Sequence, residues 1–145
     1  MPGFRLATVE RLREQQEQVC ARRLREATQE LAQAWKHREE LAEQLAASTS
    51  GPIPADQLVM AAMFRDRLRD DIRASSAEVE RCSAMLGEAR SAWMHAKAQL
   101  QAVQSLHERY RQEVRAGVAR AEQREADEFA GTRSGSARRQ MGGVS

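Results

Sequence analysis

The sequence predicts an all-α fold, a long two-helix antiparallel coiled-coil hairpin with a disordered C-terminal tail. Three observations predict it. Alanine accounts for 25 of the 145 residues and charged residues for 30%, a composition typical of long helices and coiled coils. Glycine and proline, which interrupt helices, are rare between residues 4 and 130 and concentrate at residues 51–54. On both sides of that break, apolar residues recur at alternating steps of three and four.

The first helix is predicted for residues 4–47, which contain neither glycine nor proline. Its apolar stripe takes three successive steps of four between Leu12 and Leu24. Such a stutter locally relaxes a left-handed supercoil. The predicted stripe consists of Val9, Leu12, Gln16, Cys20, Leu24, Ala27, Leu31, Ala34, Arg38, Leu41 and Leu45.

A turn is predicted for residues 48–53 and a second helix for residues 54–129. Pro54 suits the first position of a helix, and Asp56 suits the positive end of its dipole. The steps of three and four then continue without a slip for nine heptads, which is typical of a coiled-coil seam. The predicted seam consists of Leu58, Ala61, Arg65, Leu68, Ile72, Ser75, Val79, Cys82, Leu86, Ala89, Trp93, Ala96, Leu100, Val103, His107, Tyr110, Val114, Gly117 and Ala121.

The C-terminal residues 131–145 are rich in glycine, serine and arginine and poor in apolar residues. Because they offer little apolar surface to offset the entropy of ordering, we expect a disordered tail. The domain organisation is therefore one hairpin over residues 4–130, followed by the tail at residues 131–145.

The second helix is predicted to be longer than the first. Counting from the turn, the first helix ends near the level of Ala96, whereas the second seam continues beyond it. An apolar stripe without an intrachain partner predicts a binding surface. A frayed or crystal-paired helix end is the alternative. The unpartnered stripe is expected to include Leu100, Val103, Leu106, Tyr110, Val114 and Val118.

Four residues near the turn invite a structural or a functional interpretation. Arg38 and Arg65 both occupy seam positions, where they could form an ion-pair layer or a loosened layer that receives a partner. Trp35 and Phe64 lie beside the seam. Aromatic residues at such positions either anchor a partner or lean over the seam and cover it.

The two cysteines, Cys20 and Cys82, form no Cys-x-x-Cys motif, and neither a signal peptide nor a transmembrane segment is recognisable. These features predict a cytoplasmic protein with no direct membrane insertion. Folding the chain at residues 48–53 predicts that both thiols lie at nearly the same height in the seam. The alternative is a pair of inert buried thiols.

The sequence predicts no enzyme, and no catalytic residue, cofactor or metal site. No glycine-rich loop could hold a phosphate, and His37, His95 and His107 are too dispersed to form a ligand pair. His107 lies on the seam, which favours a packed or hydrogen-bonded imidazole. A two-helix hairpin also offers no concave pocket in which carboxylates could acquire shifted pKa values.

Three features resemble the FliJ family, the stalk proteins of flagellar type III export. They are the opening Phe4-Arg5-Leu6, the long hairpin of Ala-, Glu-, Gln- and Arg-rich helices, and the closing Glu122-Gln123-Arg124-Glu125-Ala126-Asp127-Glu128. The resemblance covers residues 4–133. It implies a coiled-coil shaft that inserts into the hexameric ring of the export ATPase and promotes its turnover. It also implies contacts with the cytoplasmic domain of the export gate and with export chaperones, at the inner face of the cell membrane.

The resemblance, the unpartnered stripe and the aromatic residues beside the seam together predict two groups of partner-binding residues. The ATPase end comprises Gln123, Asp127 and Glu128 of the closing motif, together with Val103, Leu106, Tyr110 and Val114 of the unpartnered stripe. The gate side comprises Phe64 and Leu68, which match an aromatic-x-x-x-apolar pair, together with Trp35.

Two other functions remain as alternatives. A structural coiled-coil scaffold would use the same stripe for self-association and would have no role in export. A nucleic-acid binder would use Arg133, Arg138 and Arg139 of the tail. The tail has no aromatic residues to interleave with these arginines and the net charge is only +2, so we expect no nucleic-acid partner.

Overall fold

The structure, a computed structural model, describes residues 2–142, with side chains for residues 3–139. The described residues form two long helices and no strand, so the all-α prediction is confirmed. Helix α1 is Pro2–Ser48 and helix α2 is Leu58–Gly142, with a short 3-10 turn at Ala55–Gln57 between them. The predicted bounds were residues 4–47 and 54–129, so α1 is longer by a few residues and α2 begins later and continues further.

The end of α1 is held by local hydrogen bonds and by one side chain of α2. The backbone N–H groups of Thr49 and Ser50 donate to carbonyl oxygens in the last turn of α1, and Gly51 supplies a positive φ of 95°. Arg65 donates from Nη2 and Nε to the carbonyl oxygen of Ser48, at 2.6 and 3.2 Å. A helix end leaves carbonyl groups without partners, and Arg65 satisfies one of them.

The predicted Arg38–Arg65 layer does not form, because the two arginines have different partners. Arg65 binds the carbonyl oxygen of Ser48, whereas the Arg38 guanidinium stacks over the Trp35 ring at 5.1 Å from its centroid. Ser48 is ten residues beyond Arg38 in α1, which is roughly 15 Å along the helix.

The chain divides into two compact units, the first of which contains residues 12–100. All buried residues among the described side chains lie in this unit. In α1 they are spaced by seven residues, and in α2 most of them share that spacing, as a heptad seam requires. The buried residues are Ala27, Ala34 and Leu41 in α1, and Leu68, Ser75, Val79, Cys82 and Ala96 in α2.

Cys20 and Cys82 do not lie at the same height. Cys82 packs against Ala34 and Leu31, whereas Cys20 lines a groove with Ala92 and Ala96. Each thiol therefore faces residues of the other helix that lie about ten positions away from those in the predicted register. This displacement is roughly 15 Å along a helix. Both cysteines are free thiols.

The offset arises at the turn. Since the first cross-helix contact joins Ser48 to Arg65, residues 58–64 of α2 precede it. The predicted register, in which the chain folds symmetrically at residues 48–53, makes no allowance for these two turns of α2.

The predicted stutter in α1 is absent from this unit, because Arg13 and Glu17 occupy the seam positions for which Leu12 and Gln16 were predicted. Glu17 accepts a hydrogen bond from Nε1 of Trp93 at 2.9 Å, and Arg13 donates to Oε1 of Gln99 at 2.7 Å. Both polar residues are half-buried, whereas Leu12 and Gln16 are exposed. The steps of three and four therefore continue toward the N-terminus through Cys20, Glu17 and Arg13 without a slip.

The second unit joins residues 2–11 of α1 with the part of α2 that begins at residue 101. Here the Nδ1 atom of His107 and the Oε2 atom of Glu10 lie 2.5 Å apart. A Cβ atom on Gly3 would lie 2.7 Å from Cε1 of Tyr110, so the tyrosine ring rests directly on the first turn of α1. The first helix thus extends to the level of Tyr110 rather than ending near Ala96, and the unpartnered stripe of α2 begins only after Tyr110.

Residues 131–142 continue α2 as a helix, where the composition predicted a disordered tail; residues 143–145 lie outside the described residues. The side chains of residues 131–139 are all exposed, so no packing against α1 holds them. Extending an existing helix adds one hydrogen bond per residue without a new nucleation step. Counting only the apolar contacts of these residues leaves out this contribution.

Candidate functional site

The first two turns of α2 carry an exposed apolar surface, here called the tip patch. These residues precede the Arg65–Ser48 contact, and Ala61 is the one half-buried side chain among them. A cluster of large apolar side chains in water is typical of a protein-binding surface. The tip patch consists of Leu58, Val59, Met60, Met63 and Phe64, each more than half exposed.

Of the residues assigned to the gate side, Phe64 lies in the tip patch, whereas Leu68 and Trp35 do not. Leu68 is only 4% exposed, so its side chain is occupied by helix packing and offers little surface to a partner. Trp35 is exposed and lies beside Arg38, Ser76 and Val79. It precedes Ser48 by 13 residues, roughly 20 Å along α1, and so is separate from Phe64.

Val59, Met60 and Met63 were not predicted as site residues from the sequence. The signal was present, because all three are large apolar residues at positions outside the predicted seam. Apolar residues off the seam have no partner in a two-helix structure, so their exposure could have been predicted from the helical pattern.

The residues assigned to the ATPase end divide by their exposure. Val103 and Tyr110 are half-buried, Tyr110 against the first turn of α1, whereas Leu106 and Val114 are exposed. Val114 and Val118 follow Tyr110 on the same face of α2 and are 47% and 53% exposed. We call Val114 and Val118 the C-terminal stripe.

The residues of the closing motif lie further along α2 and are all exposed. Gln123 donates from Nε2 to Oδ1 of Asp127 at 3.1 Å. At 3.6 residues per turn these two residues lie on the face opposite Val114, whereas Glu128 lies nearer the face of Val114. The motif therefore surrounds the helix instead of extending the C-terminal stripe.

Exposed arginines flank the C-terminal stripe, and few of them are firmly paired. Arg115 lies 3.4 Å from a carboxylate oxygen of Glu108, and Arg111 lies 4.0 Å from the other oxygen. Pairs of this exposure contribute little to stability. The segment 108–128 contains five arginines and six acidic residues, so the surface around the stripe carries charges of both signs.

The two thiols differ in their surroundings, and we expect them to differ in reactivity. Cys82 is 3% exposed, and burial raises the pKa of its thiol, with the Glu78 carboxylate adding to the effect. Since the thiolate is the reactive form, Cys82 should be alkylated by iodoacetamide at least about tenfold more slowly than the half-buried Cys20. Mass spectrometry of peptides sampled over time at pH 8 measures both rates. In denaturant the two rates should become equal; equal rates in the native chain would contradict the described burial.

Within residues 2–142, neither helix contains a segment apolar enough to cross a membrane. In the same range, no three residues of the types His, Cys, Asp and Glu lie together in an arrangement that could hold a metal ion.

A comparison with protein families gives one match, which covers nearly the whole chain. The family model described as Flagellar FliJ protein matches residues 2–139. No curated protein and no solved structure gives a significant match. The family match confirms the resemblance noted in the sequence, and it spans both α1 and the greater part of α2. The chain therefore belongs to the flagellar FliJ protein family.

Proposed function

We propose that this chain is a stalk of the flagellar protein export apparatus that inserts the C-terminal end of α2 into the ring of the export ATPase and activates it. The family supplies the link to flagellar export. The observation that carries the proposal is the C-terminal stripe, where Val114 and Val118 are exposed on a helix that α1 no longer covers. Contact of this face with the inside of the ring would remove both side chains from water and gain affinity from their burial.

The stalk has the form of an antiparallel coiled coil in this proposal. The order of the cross-helix contacts supports it, since Ser48 at the end of α1 meets Arg65 near the start of α2. Glu17, much earlier in α1, meets Trp93, much later in α2. The seven-residue spacing of the buried residues supports the coiled-coil geometry.

The start of α2 is proposed to contact the cytoplasmic domain of the export gate. The tip patch supports this role, because Phe64 and its apolar neighbours are exposed together there. Trp35 adds a separate aromatic surface beside Arg38. Export chaperones are further proposed partners, and the site of action is the export apparatus at the inner face of the cell membrane. The proposed activity is binding, without catalysis by this chain.

The decisive experiment measures ATP hydrolysis by the cognate export ATPase with increasing amounts of the chain. A double variant Val114→Asp with Val118→Asp should lose stimulation by roughly tenfold or more, because each carboxylate buried by a partner costs several kcal/mol. Val103 is a poorer choice for substitution, since it is half-buried and a carboxylate there would also disturb the packing of α2.

The matched control is Ala116→Asp with Ala119→Asp, which introduces the same charge on the opposite, exposed face of α2. Circular dichroism should show unchanged helicity in both double variants. Normal stimulation by the Val114/Val118 variant would contradict the proposed contact. If light scattering instead shows a dimer of the unaltered chain that this variant makes monomeric, the stripe serves self-association and the scaffold alternative is favoured.

A further inference from the structure

The first turns of α1, residues 3–11, lie on a face of α2 that continues directly into the C-terminal stripe. Val103, His107 and Tyr110 form this face and are all half-buried. Val114 follows Tyr110 by four residues, and His107 precedes Val114 by seven, so these residues line one side of the helix. We call residues 3–11 the N-terminal arm, and Val103, His107 and Tyr110 the covered face.

The side chains of the arm are at most half-buried. None of the described side chains in residues 3–11 and 101–139 is buried, whereas the unit of residues 12–100 contains all the buried ones. Phe4 and Val9 of the arm are exposed to water. Segments with little buried apolar surface open locally at a small fraction of the cost of global unfolding.

The contacts that do exist are specific. Gly3 allows the Tyr110 ring to approach the backbone of α1, because any larger residue would place a Cβ 2.7 Å from Cε1 of the ring. Seven residues later, Glu10 meets His107 with their oxygen and nitrogen 2.5 Å apart. The two side chains are only 21% and 13% exposed. A pair withdrawn from water in this way specifies a register, and removal of one partner leaves the other buried without compensation.

We propose that the N-terminal arm is a removable cover that occupies part of the surface to which the ATPase ring binds. When the arm opens, Val103, His107 and Tyr110 join Val114 and Val118 in one longer stripe on α2. The occupant that competes with the arm is a helix of the ring that presents a small residue to Tyr110 and a carboxylate to His107, seven positions apart, as Gly3 and Glu10 do in the arm. This inference rests on the proposed function, because the ring is the partner for which the arm competes.

A cover of this kind lowers the apparent affinity for the partner. Only the fraction of chains with an open arm presents the complete stripe, and the apparent dissociation constant rises in inverse proportion to that fraction. Loosening the arm should therefore strengthen activation of the ATPase, and fixing it should weaken activation.

Tyr110 provides a direct reporter of the cover, since it is the only tyrosine in the chain. Nitration of its ring by tetranitromethane should be several-fold faster in Glu10→Ala and in Gly3→Leu than in the unaltered chain. Glu14→Ala is a matched control, because Glu14 is exposed in α1 and outside the arm. Gly87→Leu is a second control, since a Cβ at Gly87 meets nothing within 4 Å.

Amide hydrogen exchange distinguishes opening of the arm from general destabilisation. In Glu10→Ala, exchange should accelerate in residues 3–11 and stay unchanged in residues 17–48. Equal acceleration in both segments would overturn the cover, since it would show loss of the whole helix pair. Nitration of the unaltered chain as fast as a free tyrosine amide would overturn it as well.

Fixing the arm tests its competition with the ring. In a chain with Cys20→Ser and Cys82→Ser, the changes Glu10→Cys and His107→Cys allow a cleavable bis-maleimide to link the arm to the covered face. The linked chain should require about three- to tenfold more protein for half-maximal ATPase stimulation, and cleavage of the linker should reverse the effect. Unchanged stimulation by the linked chain would overturn the competition while the stalk function stands. If the unaltered chain does not stimulate the ATPase, the proposed function fails, and nitration and exchange still decide whether the arm is a cover.

Discussion

Leu68→Ala is expected to lower the free energy of unfolding by about 2–3 kcal/mol, toward the lower end of the range for buried leucines. Leu68 is 4% exposed, the lowest fraction of any leucine in the described residues. The substitution removes three carbon atoms from the seam and leaves a cavity between α1 and α2. The lower end of the range applies because a two-helix structure can partly close such a space, which a larger core cannot.

Thermal and urea denaturation followed by circular dichroism at 222 nm measure this loss. Leu58→Ala is the matched control, because it removes the same atoms from an exposed position of the same helix and should change stability by less than about 0.5 kcal/mol. A loss of similar size in both variants would show that Leu68 is not packed in the seam. In that case its assignment to the gate side, which the resemblance favoured, would regain support.

The pattern of α2 could be predicted from the sequence because its seam is built mainly from apolar residues. Between Ala61 and Tyr110, every predicted seam position is buried or half-buried in the structure. The seam positions of α1 from Cys20 to Leu45 agree equally well. Apolar periodicity is a reliable signal wherever the burial of apolar surface selects the face of the helix.

The same reasoning failed at the start of α1, where hydrogen bonds select the face. Glu10, Arg13 and Glu17 occupy seam positions, and each contacts a polar atom of α2, on His107, Gln99 and Trp93. A search for apolar residues passes over such positions, since a charged residue in a seam is acceptable only when its partner is known. The partners are about 80 to 100 residues away in the sequence, and only the three-dimensional register identifies them.

The candidate surfaces could be predicted only in part, because the sequence did not reveal the register of the two helices. Exposure of Val114 and Val118 follows from α2 being longer than α1. The level at which α1 ends, however, depends on the offset created by residues 58–64, which the composition of the turn does not reveal. The half-buried state of Val103 and Tyr110 is a direct consequence of that offset.

Ala96→Leu is expected to destabilise the chain by about 1–3 kcal/mol, although it adds apolar surface. Ala96 is 6% exposed, and a side chain of one carbon atom becomes buried only where the facing helix approaches closely. Ala27 and Ala34 are buried in α1 in the same way, so close approach recurs along the seam. Three additional carbon atoms at such a position must force the helices apart or adopt a strained rotamer.

The matched control for this prediction is Ala98→Leu, which adds the same atoms at an exposed position two residues along α2. Alanine and leucine have similar helix propensity, so the control should leave the free energy of unfolding almost unchanged. Urea denaturation compares the two variants under identical conditions. Equal stability of both variants would show that the helices are not in close contact at Ala96, and that space exists there for larger side chains. Destabilisation of Ala96→Leu alone would show that alanine at the seam sets the distance between α1 and α2, and with it the spacing on which the polar contacts of Arg13 and Glu17 depend.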